Sequence, residues 1–110
     1  MITRYALFEG SIHTGQTEAF RAAILTDVLP HWKSFPDVLA VRVYFENERD
    51  EGAPEMSLIL AISYPNRAAL GTALASPQRA LAKVATEAVL ERYFTGRVHR
   101  HITDAVERAG

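Results

Sequence analysis

Cysteine is absent from this chain, which removes disulfide frameworks, thiol nucleophiles and thiolate metal sites together. Long hydrophobic runs are absent too. No stretch approaches the roughly 20 apolar residues that span a bilayer. The opening "MITRYALFEG" alternates polar and apolar residues, unlike the apolar core of a signal peptide. A cytoplasmic location without membrane contact is expected. Nor is there a surplus of charge: 12 basic and 13 acidic side chains leave a formal net charge of −1, too weak a field to hold nucleic acid. Finally, there is no glycine-rich phosphate loop, nucleophile elbow or Ser/His/Asp ordering, since "GQTEAF" and "GAPE" contain isolated glycines only. Nucleotide-dependent chemistry has no support, and no cofactor is expected.

What is present is an ordinary globular composition, 48% apolar over 110 residues. That suffices for a single domain, 1–110, around one core. Thr3 to Ile12 suit a first strand, closed by the turn "HTGQT". A helix follows from about Thr17, with Phe20, Ile24 and Val28 along one face and Leu25, Leu29 and Trp32 beside it. Pro30 is expected to end or kink it, and "SFPDV" to be a loop. From Val38 to Glu46 the chain alternates: Leu39, Val41, Val43 and Phe45 on one face, Ala40, Arg42, Tyr44 and Glu46 on the other. After the charged loop "NERDEGAP" comes "MSLILAISY", apolar on both faces and therefore central. Asn66 is a candidate N-cap for "RAALGTALA". Ser76-Pro77 repeats the signal for a helix to about Phe94, with Leu81, Val84, Ala88 and one of Val89 and Leu90 inward and Gly96 as its stop. The segment "FTGRVHRHITDAV" completes the chain as a last strand.

This order, strand–helix–strand–strand–helix–strand, is that of an α+β, ferredoxin-like βαββαβ fold, an antiparallel sheet with helices on one face. In a chain this apolar the uncovered face is expected to carry too much hydrophobic surface for water. Closing two such faces together in a symmetric homodimer, a dimeric α+β barrel, is the simplest remedy.

Strand parity then selects candidate site residues. In the last strand Val98, Arg100 and Ile102 share one face, and Arg97, His99, His101 and Thr103 the other. With Val98 and Ile102 under the helices, both histidines face the barrel, as do Arg42 and Tyr44 of the second strand. The expected site is a composite pocket between subunits. His99, His101 and Tyr44 are its acid–base and hydrogen-bonding candidates; Arg42, Arg97 and Trp32 are its candidates for holding a small hydrophobic or aromatic ligand. A plain structural role competes. The histidines then hydrogen-bond across an interface or sit solvated at its rim, and Trp32 anchors the core. His-x-His can also ligate a metal, but no spacing marks Glu9 or Glu46 as the further ligand such a site needs, and no metal is expected. His13, in a turn, and Glu87, Glu91 and Arg92, on the last helix, read as solvated.

The runs "FPDVLAVRVYF" and "PEMSLILAISYPNRAALGTALASPQRA" resemble the EthD-like branch of the dimeric α+β-barrel proteins. The likeness follows the element order of nearly the whole chain and is sharpest from Ala73 to Pro77. The arginine-bearing second strand, "GAPE" and "RYFTGRVHRH" resemble the REDY-like (HapK-type) branch associated with prodiginine pigment clusters. The resemblance implies a cofactor-free enzyme of secondary or aromatic metabolism, acting by acid–base chemistry such as cyclisation or dehydration of a pyrrole- or indole-type intermediate. Cofactor-independent monooxygenases and accessory proteins of degradation belong to related barrels, and a non-catalytic carrier of a hydrophobic intermediate needs the same pocket. These alternatives stay open. One departure matters: Ile24 and Val28 stand where such first helices often carry a tyrosine and a histidine, and Asp37 replaces a loop glycine.

Overall fold

The computed structural model, covering residues 1–110, shows the expected order with shifted boundaries. Strand β1 spans Ile2–Ile12 and helix α1 spans Thr17–Ala23; a π-helical turn, Ile24–Val28, leads into α2, Leu29–Lys33. Then follow β2 (Ala40–Tyr44), β3 (Met56–Tyr64), α3 (Arg67–Leu74), α4 (Pro77–Tyr93) and β4 (Phe94–Asp104). The four strands form one antiparallel sheet in the order β2-β3-β1-β4.

Pro30 does not end the first helix. It lacks an N–H and its ring crowds the carbonyl four residues back. The π turn answers this by widening the backbone just before it, so that the Leu29 N–H donates to Ile24 O. The wider turn also absorbs the drift of a strict four-residue spacing around a helix of 3.6 residues per turn. As a result Phe20, Ile24, Val28 and Trp32 all face the core. Both later helix starts are capped as read: Asn66 Oδ1 accepts from the Ala69 N–H at 2.9 Å and Ser76 Oγ from the Arg79 N–H at 3.2 Å.

The register assigns every strand residue to a face. On the helix side lie Phe8 and Leu58 beside Val98, then Val43, Leu60, Ala6 and Arg100 in one row, then Val41, Ile62, Arg4 and Ile102. Arg100 and Ile102, at the β4 edge, stay exposed, so the helices do not cover Ile102, contrary to expectation. Phe8, Leu58, Leu60 and Ile62 join Phe20, Ile24, Trp32 and Leu70 in the core. The open face carries the rows Tyr44–Ile59–Leu7–His99, Arg42–Ala61–Tyr5–His101 and Ala40–Ser63–Thr3–Thr103.

Four expectations need correction. Leu81 and Val84 of α4 are solvent-exposed, as is Ala88; Ala82 is buried instead, beside Val89, which is inward as expected. Small side chains face the sheet there, and they leave room beside it. Leu39 precedes β2 and is exposed rather than under the helices. Gly96 does not stop α4, because Phe94 already begins β4. It pairs instead with Gly10 across β1 and β4. A Cβ on Gly96 would stand 2.2 Å from Glu9 O and 2.8 Å from the Phe94 ring, so only glycine fits beneath that ring. Finally, the open face is mixed rather than greasy: Leu7 and Ile59 sit among Thr3, Glu9, Arg42, Ser63 and the histidines.

Beyond β4 the chain turns back. The Ala105 N–H donates to Met1 O at 2.9 Å, and Glu107 lies 4.0 Å from Arg42 on β2, the opposite edge of the sheet. The last residues thus cross one end of the open face. Beneath that end Thr3 and Ser63 are buried and share a hydrogen bond of 2.8 Å.

Candidate functional site

A cavity of about 360 Å³ opens between the sheet and the helices, at the lower end of the roughly 300–1,000 Å³ usual for ligand sites. Its apolar wall is built by β1 and β3 (Ala6, Phe8, Leu60, Ile62), by Trp32 and Phe35 at the end of the α2 segment, and by Leu90 and Val98. Its polar wall comes from strand positions that would otherwise be core, Arg4 and Arg100, and from one face of α4: Arg79, Lys83, Thr86 and Glu87. The four-residue spacing of Arg79, Lys83 and Glu87 puts all three over the opening.

The charges are unevenly matched. Lys83 and Glu87 approach to 4.0 Å. No carboxylate lies within 4.0 Å of Arg4, Arg79 or Arg100, and no side-chain hydrogen bond engages them. Burial, reinforced by the Arg100 and Arg79 charges, pushes Arg4 down to about 10. Burial and Arg79 likewise lower Arg100, with Glu87 opposing. Arg4 and Arg100 both remain cationic at neutral pH. Tyr64, pushed up to about 12 by burial, stays protonated and is no base. Glu87 is the one carboxylate lining the cavity.

The sequence-derived candidates lie elsewhere, Trp32 excepted. His99 and His101 face away from the helices, as do Arg97, Arg42 and Tyr44. Glu9 Oε1 stands 3.4 Å from His99 Nε2 and 3.6 Å from Arg97. That histidine nitrogen is buried without a hydrogen-bond partner, because the approach to Glu9 is not aligned for one. The His99 and His101 rings meet edge to face, 5.6 Å apart. Tyr44 and Arg42 occupy the far ends of the same rows, three inter-strand spacings or about 14 Å away. One chain does not bring them to the histidines. His13 is exposed and 3.1 Å from Thr95 Oγ1, and Ile24 and Val28 are fully buried.

Sequence reasoning did not single out Arg4, Arg79 and Arg100; Glu87, read as solvated, is exposed and also lines the cavity. The available signal was an arginine interrupting an apolar strand face, Arg4 between Ile2 and Ala6 and Arg100 between Val98 and Ile102. A charge there must be unburied, paired or used.

No protein-family model and no curated protein matches the sequence. Solved structures do match in fold. An EthD family protein from Bacillus halodurans superposes with a TM-score of 0.71 at 15% identity, over 96% of this chain and 99% of that one. SnoaB, a cofactor-independent oxygenase from Streptomyces nogalater, gives 0.64 at 16% identity, over 97% and 94%. A dimeric protein of ferredoxin-like fold from Bacteroides fragilis gives 0.66 at 8% identity, over 94% and 95%. The fold is thus the ferredoxin-like α+β fold of EthD-type and antibiotic-monooxygenase-type proteins.

Proposed function

We propose that this chain is a small-molecule enzyme of biosynthetic or degradative metabolism whose ligand occupies the cavity between sheet and helices. The observation that carries the reading is the cavity itself, an apolar chamber whose lining also includes Arg4, Arg79, Lys83, Glu87 and Arg100. Cofactor-free acid–base chemistry fits the residues: Glu87 is placed to take or return a proton, and the guanidiniums favour negative charge developing on a substrate oxygen. The neighbours' names, an EthD family protein and a cofactor-independent oxygenase, fit secondary or aromatic metabolism. The prodiginine-type assignment is the finest form of this proposal. A carrier uses the same chamber without Glu87 chemistry.

The only tryptophan, Trp32, lines the chamber and reports occupancy. Titration with indole and 2-naphthol should quench its fluorescence saturably, and Ala82→Phe, which fills the chamber from α4, should remove the effect. Quenching indifferent to Ala82→Phe would sink the proposal. Once a substrate is found by mass spectrometry of co-purified ligands, Glu87→Gln separates enzyme from carrier by losing turnover while keeping binding.

The open face supports a second reading. The His99 and His101 rings, edge to face at 5.6 Å, lie with Leu7 and Ile59 on the face away from the helices. A second copy closing its open face over the first would cover them and carry Tyr44 and Arg42 toward His99 and His101. A chain that sediments as a monomer at micromolar concentration removes this reading and leaves the cavity untouched.

A further inference from the structure

We infer that the ligand of this cavity is a planar apolar carboxylic acid, its carboxylate held among the guanidiniums of Arg4, Arg79 and Arg100 and its ring system against Trp32 and Phe35. This deepens the cavity reading and rests on it. Four cationic side chains line the chamber against one carboxylate, in a protein whose net charge is −1. That carboxylate, Glu87, is nearest Lys83. Glu87 acts on Arg100 without touching it, so no carboxylate contacts the three arginines, and Arg4 and Arg100 are diagonal neighbours on adjacent strands, β1 and β4.

Nothing in the packing requires this. Positions 4 and 100 belong to the face whose other members are aliphatic or aromatic, and a leucine or methionine would satisfy it. Instead the fold holds mutually repelling cations at the rim of an apolar chamber, where a charge is costly unless paired. Arg4 and Arg79 have no buried unpartnered nitrogen and Arg100 is exposed, so none of the three has its donors sealed in the packing. A guanidinium presents a planar fork matched to a carboxylate. A bound carboxylate would relieve the repulsion, satisfy the donors and reverse the depression of Arg4. The apolar wall sets the rest of the ligand: a bare inorganic anion makes no use of the lining to which Trp32 and Phe35, otherwise buried, present their small exposed parts, and a neutral ring system leaves the arginines unpaired.

The test uses matched pairs on the intact chain: 2-naphthoic acid with 2-naphthamide, and indole-2-carboxylic acid with its amide, each titrated by Trp32 fluorescence. Each acid should bind at least about tenfold more tightly than its amide, a preference that weakens with added salt. Arg4→Met and Arg100→Gln should each cost the acid about tenfold and leave the amide unchanged. Arg67→Gln, the same charge change on exposed α3, should alter neither. An amide that binds as well as its acid, or arginine variants that weaken both equally, would overturn the carboxylate inference while the cavity reading survives. If no member of either pair quenches Trp32, both fall.

Discussion

The two faces of one sheet are the instructive contrast. They are made by the same four strands from alternating residues, yet one is an apolar layer with a charged chamber at its edge and the other a mixed lawn of hydroxyls, imidazoles and aliphatics. Phe8 is 1% exposed and its neighbour Leu7 is only partly covered. The open face holds the residues with familiar acid–base chemistry, and the helix face holds the concavity. A reactive side chain is not a site until something shapes a volume around it. On the helix side α4 does so by turning Ala82 rather than Leu81 toward the sheet. On the open side only the chain's own tail crosses one end.

The largest expected effect breaks this contrast at adjacent positions. Phe8→Ala deletes a core ring that meets Phe94 edge to face at 6.4 Å and should cost about 3–5 kcal/mol in urea unfolding. Leu7→Ala should cost about 1 kcal/mol or less if its face stays open. If two copies close over it, Leu7→Ala instead weakens association, and sedimentation shows the loss. Equal costs for the two variants in a monomer would mean that the faces do not differ as described.

Much of this was legible from spacing. The alternation in β2 and β4 places Arg42, Tyr44, His99 and His101 on the face they occupy, and Asn66 and Ser76 cap the helices they precede. Three features were not. The orientation of α4 is hidden because it is alanine-rich, so hydrophobic spacing favours Leu81 and Val84 although Ala82 and Val89 are the residues it buries. The passage through Pro30 depends on a π turn that no residue type announces. The chamber joins Arg4, Arg79 and Arg100 from three elements, and such convergence exists only after folding. Asp37, set against a loop glycine by resemblance, does adopt φ 59°, the left-handed region in which glycine costs least.

A smaller effect tests whether the helix face sacrifices stability for its charges. Burial, with Arg100 and Arg79 nearby, holds Arg4 at about 10, well below the ordinary guanidinium range. For a cation this means the fold disfavours the charged form. The cost is complete below about pH 10 and is relieved as pH rises from there toward the unfolded value. Arg4→Met should therefore stabilise the ligand-free protein at pH 7, by about 1 kcal/mol after allowance for solvent screening, with the gain shrinking above pH 10. The open-face Arg42→Met, exposed in the wild type, should give no such gain. Destabilisation by Arg4→Met would show that the guanidinium serves the fold and not a ligand.

The smallest effect belongs to neither face but to the loop joining two of their strands. Glu46, just after β2, accepts the Met56 N–H at 3.0 Å through Oε2 and Arg49 through Oε1 at 2.6 Å. The Met56 hydrogen bond, then Arg49, outweighs partial desolvation and holds the carboxyl below its usual 4.5. A depressed carboxyl contributes stability above its unfolded value, and that contribution disappears as pH falls through the folded one. Glu46→Gln keeps an acceptor for Met56 but no charge. Its urea midpoint should lie slightly below wild type at pH 7, by an amount worth about 2 °C in Tm, and the two should converge below about pH 4.5. A gap that persists unchanged to pH 3 would mean that the carboxylate's shape, not its charge, anchors the β2–β3 connection on which both faces depend for their register.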